Sequence, residues 1–301
     1  MDSTFNILSF DGGGIRGALS IKLLEKIQTI NPDIVKNTNM ISGTSTGSLI
    51  ALGLAYGISA EEISNFYSKE NLEYIFDKSY SIISKPKYEN EHLKEVLLSI
   101  FPENLKLKDL GKLVIIPSFY LGDKNNSWKA MFYNNIPNSP TEDFRVIDVA
   151  MASSAAPVFF QSYESHIDGG IIATDPSLAS IIYSIDEDLG KKIKSIRLLS
   201  FGTGYCYDSI KEDTSKWGAL EWVTSKDPDL PIITVTLEGI SQVSQIFSKK
   251  LLNDNYYRIN PRMDRDINMD DVKELDYLKE LVDKYDIKEC TSWINNKWNK
   301  I

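Results

Sequence analysis

Between Asn6 and Tyr56 the chain twice runs from a short apolar segment through a glycine turn into a helical pattern, and few folds accommodate that grammar. Asn6-Ile7-Leu8-Ser9-Phe10 is apolar and stopped by three glycines, which predicts a buried strand. After Gly17, Leu19, Leu23, Leu24, Ile27 and Ile30 recur with helical spacing until Asn31-Pro32 ends the run. Met40-Ile41-Ser42 predicts a second short strand, and Ser48 to Tyr56 a tightly packable helix of small residues. Strand, glycine turn, helix, strand, tight turn and helix together predict a parallel sheet covered by helices.

The same reading extends along the chain. Helical patterns cover Glu61 to Phe76 and Glu91 to Phe101, and strand patterns cover Leu113 to Ile116 and Ile196 to Phe201. Tyr120 to Pro140, rich in Asn, Asp, Ser and Pro, predicts hairpin or loop excursions at the sheet margin. Asp270 to Tyr285 carries Val272, Leu275, Leu278, Leu281 and Val282 on one helical face. With 301 residues, no internal repeat and no long linker, the expectation is a single α/β domain spanning 1–301, in three α/β/α layers around a mostly parallel sheet.

Composition excludes several functions. A net charge of -9 argues against nucleic acid as the main partner, because phosphate contacts need a basic face. Leu49 to Ile58 is the longest nearly apolar stretch, well short of the roughly 20 residues of a membrane-spanning helix, and Asp2 opens an N-terminus without a basic leader. Cys206 and Cys290 lack the spacing of a zinc site or redox pair and fit a reducing compartment. The expected location is cytoplasmic, with peripheral contact at membranes.

Gly43-Thr44-Ser45-Thr46-Gly47 fits G-x-S-x-G and sits between a strand and a helix, where a nucleophile elbow is expected. The free N–H groups and dipole of the following helix favour negative charge nearby. The bland alternative is a Ser/Thr-rich helix cap without chemistry. Asp11-Gly12-Gly13-Gly14-Ile15-Arg16-Gly17 follows the first strand, and its glycines let backbone N–H groups converge on an anion such as a tetrahedral oxyanion. Gly12, Gly14 and Gly17 also satisfy G-x-G-x-x-G, so a dinucleotide- or phosphate-binding module using Gly12 to Gly17 is the rival reading. That rival lacks an acidic residue at the end of the second strand, which runs into Ser42-Gly43 instead.

An activated serine needs a base. No histidine follows His166, so an α/β-hydrolase triad with Asp168 or a later acid is excluded. His92 lies in a charged helix start and reads as a surface residue; His166 precedes Asp168 by two residues and reads as structural, with a place beside the site. Asp168-Gly169-Gly170 carries a carboxylate into a cleft on a glycine turn. A free aspartate, with a pKa near 3.9, becomes a base for serine only if a dry cleft raises that value and a direct hydrogen bond aligns it.

In these three motifs the chain resembles the patatin-like phospholipases, whose joint signature is the Asp-Gly-Gly-Gly-x-Arg-Gly loop, the Gly-x-Ser-x-Gly elbow and a distant Asp-Gly-Gly turn. Similarity continues through Ser154 to Pro157, Asp175-Pro176-Ser177, Ser200 to Gly204 and Tyr257 to Asn260. The resemblance implies a patatin-like fold and a Ser-Asp dyad without histidine, with Ser45 as nucleophile and Asp168 as base. It implies an oxyanion hole from Gly12, Gly13 and Gly14, and an Arg16 that braces the loop or meets a lipid phosphate. Gly43, Gly47 and Gly169 support the turns. The substrate implied is a phospholipid or other acyl lipid, met by transient contact with a membrane surface, with no cofactor. The family also holds storage-type and regulatory members, so a storage or interaction protein with residual esterase activity is the alternative.

Two further features carry weaker expectations. Asp264, Asp266, Asn268 and Asp270 alternate oxygen ligands like a calcium loop, but Met269 and Leu275 occupy the glycine and glutamate positions. A solvated loop with a helix cap at Asp270 or Asp271 is expected, and no metal. Phe159, Phe160, Trp217 and Trp222 are candidates for admitting an acyl chain, with core packing as the alternative.

Overall fold

The computed structural model describes residues 4–77, 85–206, 209–226 and 228–298; Asp2 lies outside them. One sheet contains β1 (Phe5–Phe10), β2 (Met40–Gly43), β3 (Leu113–Tyr120), β4 (Lys129–Asn134), β5 (His166–Asp168), β6 (Ile196–Phe201) and β7 (Tyr256–Ile259). Its order is β4-β3-β2-β1-β6-β7, with β5 also paired to β3. The pairs from β3 through β2, β1 and β6 to β7 are parallel, whereas β4 and β5 run antiparallel to β3.

Helices cover both faces. They are α1 (Gly17–Gln28), α2 (Thr46–Tyr56), α3 (Ala60–Phe66), α4 (Lys69–Ile75), α5 (Asn90–Leu98), α6 (Val146–Ser153), α7 (Gly170–Ala173), α8 (Ser177–Ile185), α9 (Ala219–Thr224), α10 (Pro231–Leu252), α11 (Leu275–Lys284) and α12 (Lys288–Trp293). Alternate residues of the central strands enter two separate cores. Leu8, Phe10, Ile41, Val114, Ile116, Leu199 and Phe201 join the larger one with α1, α2, α6 and α11. Phe5, Ile7, Met40, Ile115, Ile196 and Leu198 join the smaller one with Ile181 of α8 and Leu252 of α10. Burial on both faces explains why these strands read as unbroken apolar runs. The expected three-layer α/β/α architecture is therefore present.

The helix expected over Glu61 to Phe76 is two helices. Tyr67 turns inward, its hydroxyl 2.7 Å from Thr46 Oγ1, and Ser68 restarts the chain by accepting a hydrogen bond from the Asn71 N–H at 3.3 Å. A serine cap competes well with helix continuation at such a point. The margin after Tyr120 is a β-hairpin with β4, and the C-terminal pattern is α11 packed on α1. No helix among the described residues is long and apolar enough to cross a membrane.

One pairing detail positions the site. β2 leaves β3 after Ser42 pairs with Ile115, and β5 takes up the vacated edge, pairing Asp168 with Ser118. The other edge of β3 is held by β4 from Ile115 to Tyr120, so Asp168 lies on the line along which β2 would have continued. The turn after β2 carries Ser45.

Candidate active site

Ser45 is the second of the two residues between β2 and α2, and it holds φ 53° and ψ −123°. A non-glycine residue pays for this conformation, and such strain persists only where the surroundings enforce it. Here they do. The Ser45 N–H donates to Ser153 Oγ at 3.1 Å, and the Ser48 hydroxyl donates to the Ser45 carbonyl at 2.6 Å. Gly43 and Gly47 serve close approach: a Cβ on Gly43 would stand 1.9 Å from the Gly47 carbonyl oxygen, and one on Gly47 2.3 Å from that of Phe10. The strain falls on the serine, and the glycines let α2 dock on the strand ends.

Asp168 is buried at the end of β5. Its Oδ1 accepts from the Gly170 N–H at 2.7 Å, and its carboxyl also takes a hydrogen bond from Ser45. Burial pushes its pKa up to about 6, against the opposing pull of the Ser45 and Gly170 hydrogen bonds. Ser153 ties the two halves together. Its hydroxyl receives the Ser45 N–H while its carbonyl receives the Gly169 N–H at 3.1 Å.

The glycine loop lies against the serine, a Cβ on Gly12 falling 3.4 Å from Ser45 Cβ. Its three N–H groups are not equivalent. Gly12 donates to the Thr174 carbonyl at 3.0 Å, which removes it from the expected oxyanion set: that donor is spent on holding the loop. The N–H groups of Gly13 and Gly14 have no acceptor among the described residues. Gly14 has φ 59° and stands so close to Met269 that a Cβ would fall 2.0 Å from its carbonyl oxygen. Ile15 donates to that same carbonyl at 2.8 Å. With Gly12 and Ile15 both committed inside the chain, the loop lacks the row of free donors a pyrophosphate needs. Arg16 turns back toward the loop, its Nε donating to the Gly13 carbonyl at 3.4 Å.

Beneath the loop is a buried charge cluster that motif reading missed. Arg258 of β7 bonds both Asp11 oxygens, at 3.2 and 2.5 Å, as well as Asp175 at 3.3 Å and Ser200 at 2.7 Å. Burial pushes the Asp11 carboxyl up to about 7 against the pull of Arg258, while Arg258 itself is held firmly charged by its two carboxylates. Asp11 starts the glycine loop and Asp175 follows the Asp168 turn, so one guanidinium joins two segments of the site. Its signal in the sequence was a lone arginine inside the apolar run Tyr256 to Ile259. Ser153 had none.

The histidines lie elsewhere. His92 bonds the Tyr74 carbonyl at 2.8 Å and stacks on that ring; His166 engages the Tyr133 hydroxyl at 2.9 Å and the Glu164 carbonyl at 2.7 Å. Both nitrogens of His166 are committed away from Ser45. Of the aromatic candidates, Phe160 is core, packed against Phe76 and Tyr88, while Trp217 and Trp222 form an edge-to-face pair, half-buried near α9. In the acidic run Asp271 does cap, accepting from the Lys273 N–H at 3.3 Å. Asp270 departs from the solvated loop expected of it, its side chain buried and bonded to Lys87 and Tyr88, so its charge is already matched.

A strained serine beside a buried carboxylate, next to backbone N–H groups that have no acceptor among the described residues, gathers a candidate nucleophile, base and anion donors on one parallel sheet. The family model described as patatin-like phospholipase matches residues 8–179, and the chain belongs to that family of lipid hydrolases. "Protein teg" of Priestia megaterium is 30% identical, covering 98% of this chain and 99% of its own length. "Putative sporulation hydrolase CotR" of Bacillus subtilis is 29% identical over 98% of each chain. A "cGAMP-activated phospholipase" of Vibrio cholerae is 30% identical, over 65% of this chain and 63% of its own.

Proposed function

We propose that this protein hydrolyses acyl esters of phospholipids or related lipids through a Ser45–Asp168 dyad. The observation that carries the reading is the hydrogen bond from the strained Ser45 hydroxyl to a carboxylate whose burial raises its pKa to about 6. A carboxylate with that value is a far better base than a solvent-exposed one and remains ionised at neutral pH. Ser45 Oγ attacks the ester carbonyl carbon as its proton passes to Asp168. Negative charge then builds on the carbonyl oxygen, where the Gly13 and Gly14 N–H groups supply donors. The tetrahedral intermediate collapses, the C–O bond to the alcohol breaks, and Asp168 returns its proton to the leaving oxygen. Water repeats the sequence on the acyl-enzyme, releasing the fatty acid and restoring Ser45.

The reading includes a role for Arg16 in steadying the loop and no requirement for a metal or cofactor. Substrate is taken from a membrane surface by transient contact. An active-site-directed fluorophosphonate tests it: a single adduct on Ser45 is expected, lost in Ser45→Ala, together with fatty acid release from a mixed lipid extract by the parent alone. Labelling that survives Ser45→Ala refutes the assignment.

A further inference from the structure

Helix α10 is built inside out. Its inward positions Ser241, Ser244 and Ser248 are at most 5% exposed, whereas Val243, Ile246 and Phe247 on its outer side are 49 to 52% exposed. A helix on a water-facing surface shows the opposite arrangement. Ser244 makes the inward packing specific, its hydroxyl accepting from the Leu178 N–H of α8 at 3.1 Å. Ile232, Val235 and Leu251 extend the outward apolar stripe along nearly the whole helix, and between Pro231 and Ser248 the only charge is Glu238.

The stripe leads to the candidate catalytic turn. A groove of about 610 Å³ runs between α8 and α10, lined by Ile182, Tyr183, Val235 and Val243 and by Ile172 and Ala173 of α7. α7 begins two residues after Asp168, and α10 is tied to it by the Thr174 hydroxyl donating to the Leu237 carbonyl at 3.1 Å. The outer face of α10 and the Asp168 turn are thus parts of one packed unit.

We propose that the outer face of α10 seats in the acyl region of a phospholipid leaflet, so that a lipid chain can pass along the groove toward Ser45 without crossing water. The inference rests on the lipid-hydrolase reading above. Three observations select a leaflet over a second copy of the chain. The stripe offers on the order of 500 Å² of apolar surface, short of the roughly 800 Å² per partner of a stable protein interface. Its ends carry groups suited to a lipid boundary: exposed Lys249 and Lys250 where α10 finishes, and the Trp217–Trp222 pair beside α9, which packs on α10. In a chain of net charge -9, those two lysines place a pair of cations at the end of this face, where anionic headgroups can meet them.

The test uses the full chain and its Ile246→Glu/Phe247→Glu variant, whose changed positions lie outside the groove and the catalytic turn. The parent is expected to co-float with vesicles of phosphatidylcholine and phosphatidylglycerol, and the variant to bind at least about tenfold more weakly. Hydrolysis of vesicle phospholipid should fall in step, while turnover of a soluble short-chain p-nitrophenyl ester stays at the parental rate. A variant that floats like the parent, or a parent that does not float, overturns the proposal. So does a parental dimer in sedimentation that the variant abolishes, which assigns the face to a second copy. Failure of the dyad reading looks different: the soluble ester is then untouched by the parent, whatever the vesicles show.

Discussion

Replacing Asp168 by Asn should make the protein more stable while disabling it. The carboxyl's folded-state pKa lies near 6 against an ordinary value of 3.8, because burial disfavours its charge more than Ser45 and Gly170 favour it. A carboxyl raised in this way contributes stability that is fully present below its unfolded pKa and is lost as the pH rises through 6. A rise of about two pH units corresponds to about 3 kcal/mol at about pH 8. Asparagine has the same shape, still accepts the Gly170 N–H and carries no charge to desolvate. Urea unfolding should therefore give parent and Asp168→Asn nearly equal stability near pH 4, and favour the variant by up to about 3 kcal/mol near pH 8. Ester turnover in the variant should fall about 10²- to 10⁴-fold, as for loss of a general base, and the parent's turnover should drop below a limb near pH 6. A variant no more stable than the parent near pH 8, or a gap that does not widen with pH, refutes the reasoning. A parental limb near pH 4 does the same.

Gly13→Ala should lower turnover by about 10²-fold, because the added Cβ would fall 2.6 Å from Thr203 Oγ1, the group that donates to the Gly12 carbonyl at 3.1 Å. Adding Thr203→Ala should recover part of the loss, and unchanged turnover in the folded single variant rules out a donor role for the loop. His92→Ala/His166→Ala should stay within about tenfold of the parent in ester hydrolysis, since neither ring engages Ser45; a folded but inactive double variant excludes the dyad. Arg258→Met should cost about 3–5 kcal/mol in urea unfolding by leaving Asp11 and Asp175 buried without a cation. That loss should deepen as the pH rises, because the buried Asp11 carboxyl must then ionise without its cation, and a pH-independent loss refutes the account.

The sequence alone determined the parts of this protein that depend on local rules. Burial on both sheet faces makes β1, β2 and β6 continuous apolar runs, and glycine is required wherever backbones meet closely, so the strand and turn order and the candidacy of Ser45, Asp168 and the glycine loop were legible in one dimension. Tertiary structure decided what each of those residues can do. Gly12, Gly13 and Gly14 are alike in sequence, yet only the approach of Thr174 shows that Gly12 has already spent its N–H. Asp168 becomes a candidate base because β5 replaces β2 on the edge of β3 and carries the carboxyl, over a hundred residues from Ser45, into a dry contact with it. Arg258 acquires its importance from two carboxylates distant in the chain, and α10 escaped periodicity reading because its serines face inward and its aliphatic side chains outward. Periodicity reports which side chains avoid water only when water is what lies outside, and hydrogen-bond partners and buried charges are set by distances in space that no spacing along the chain encodes.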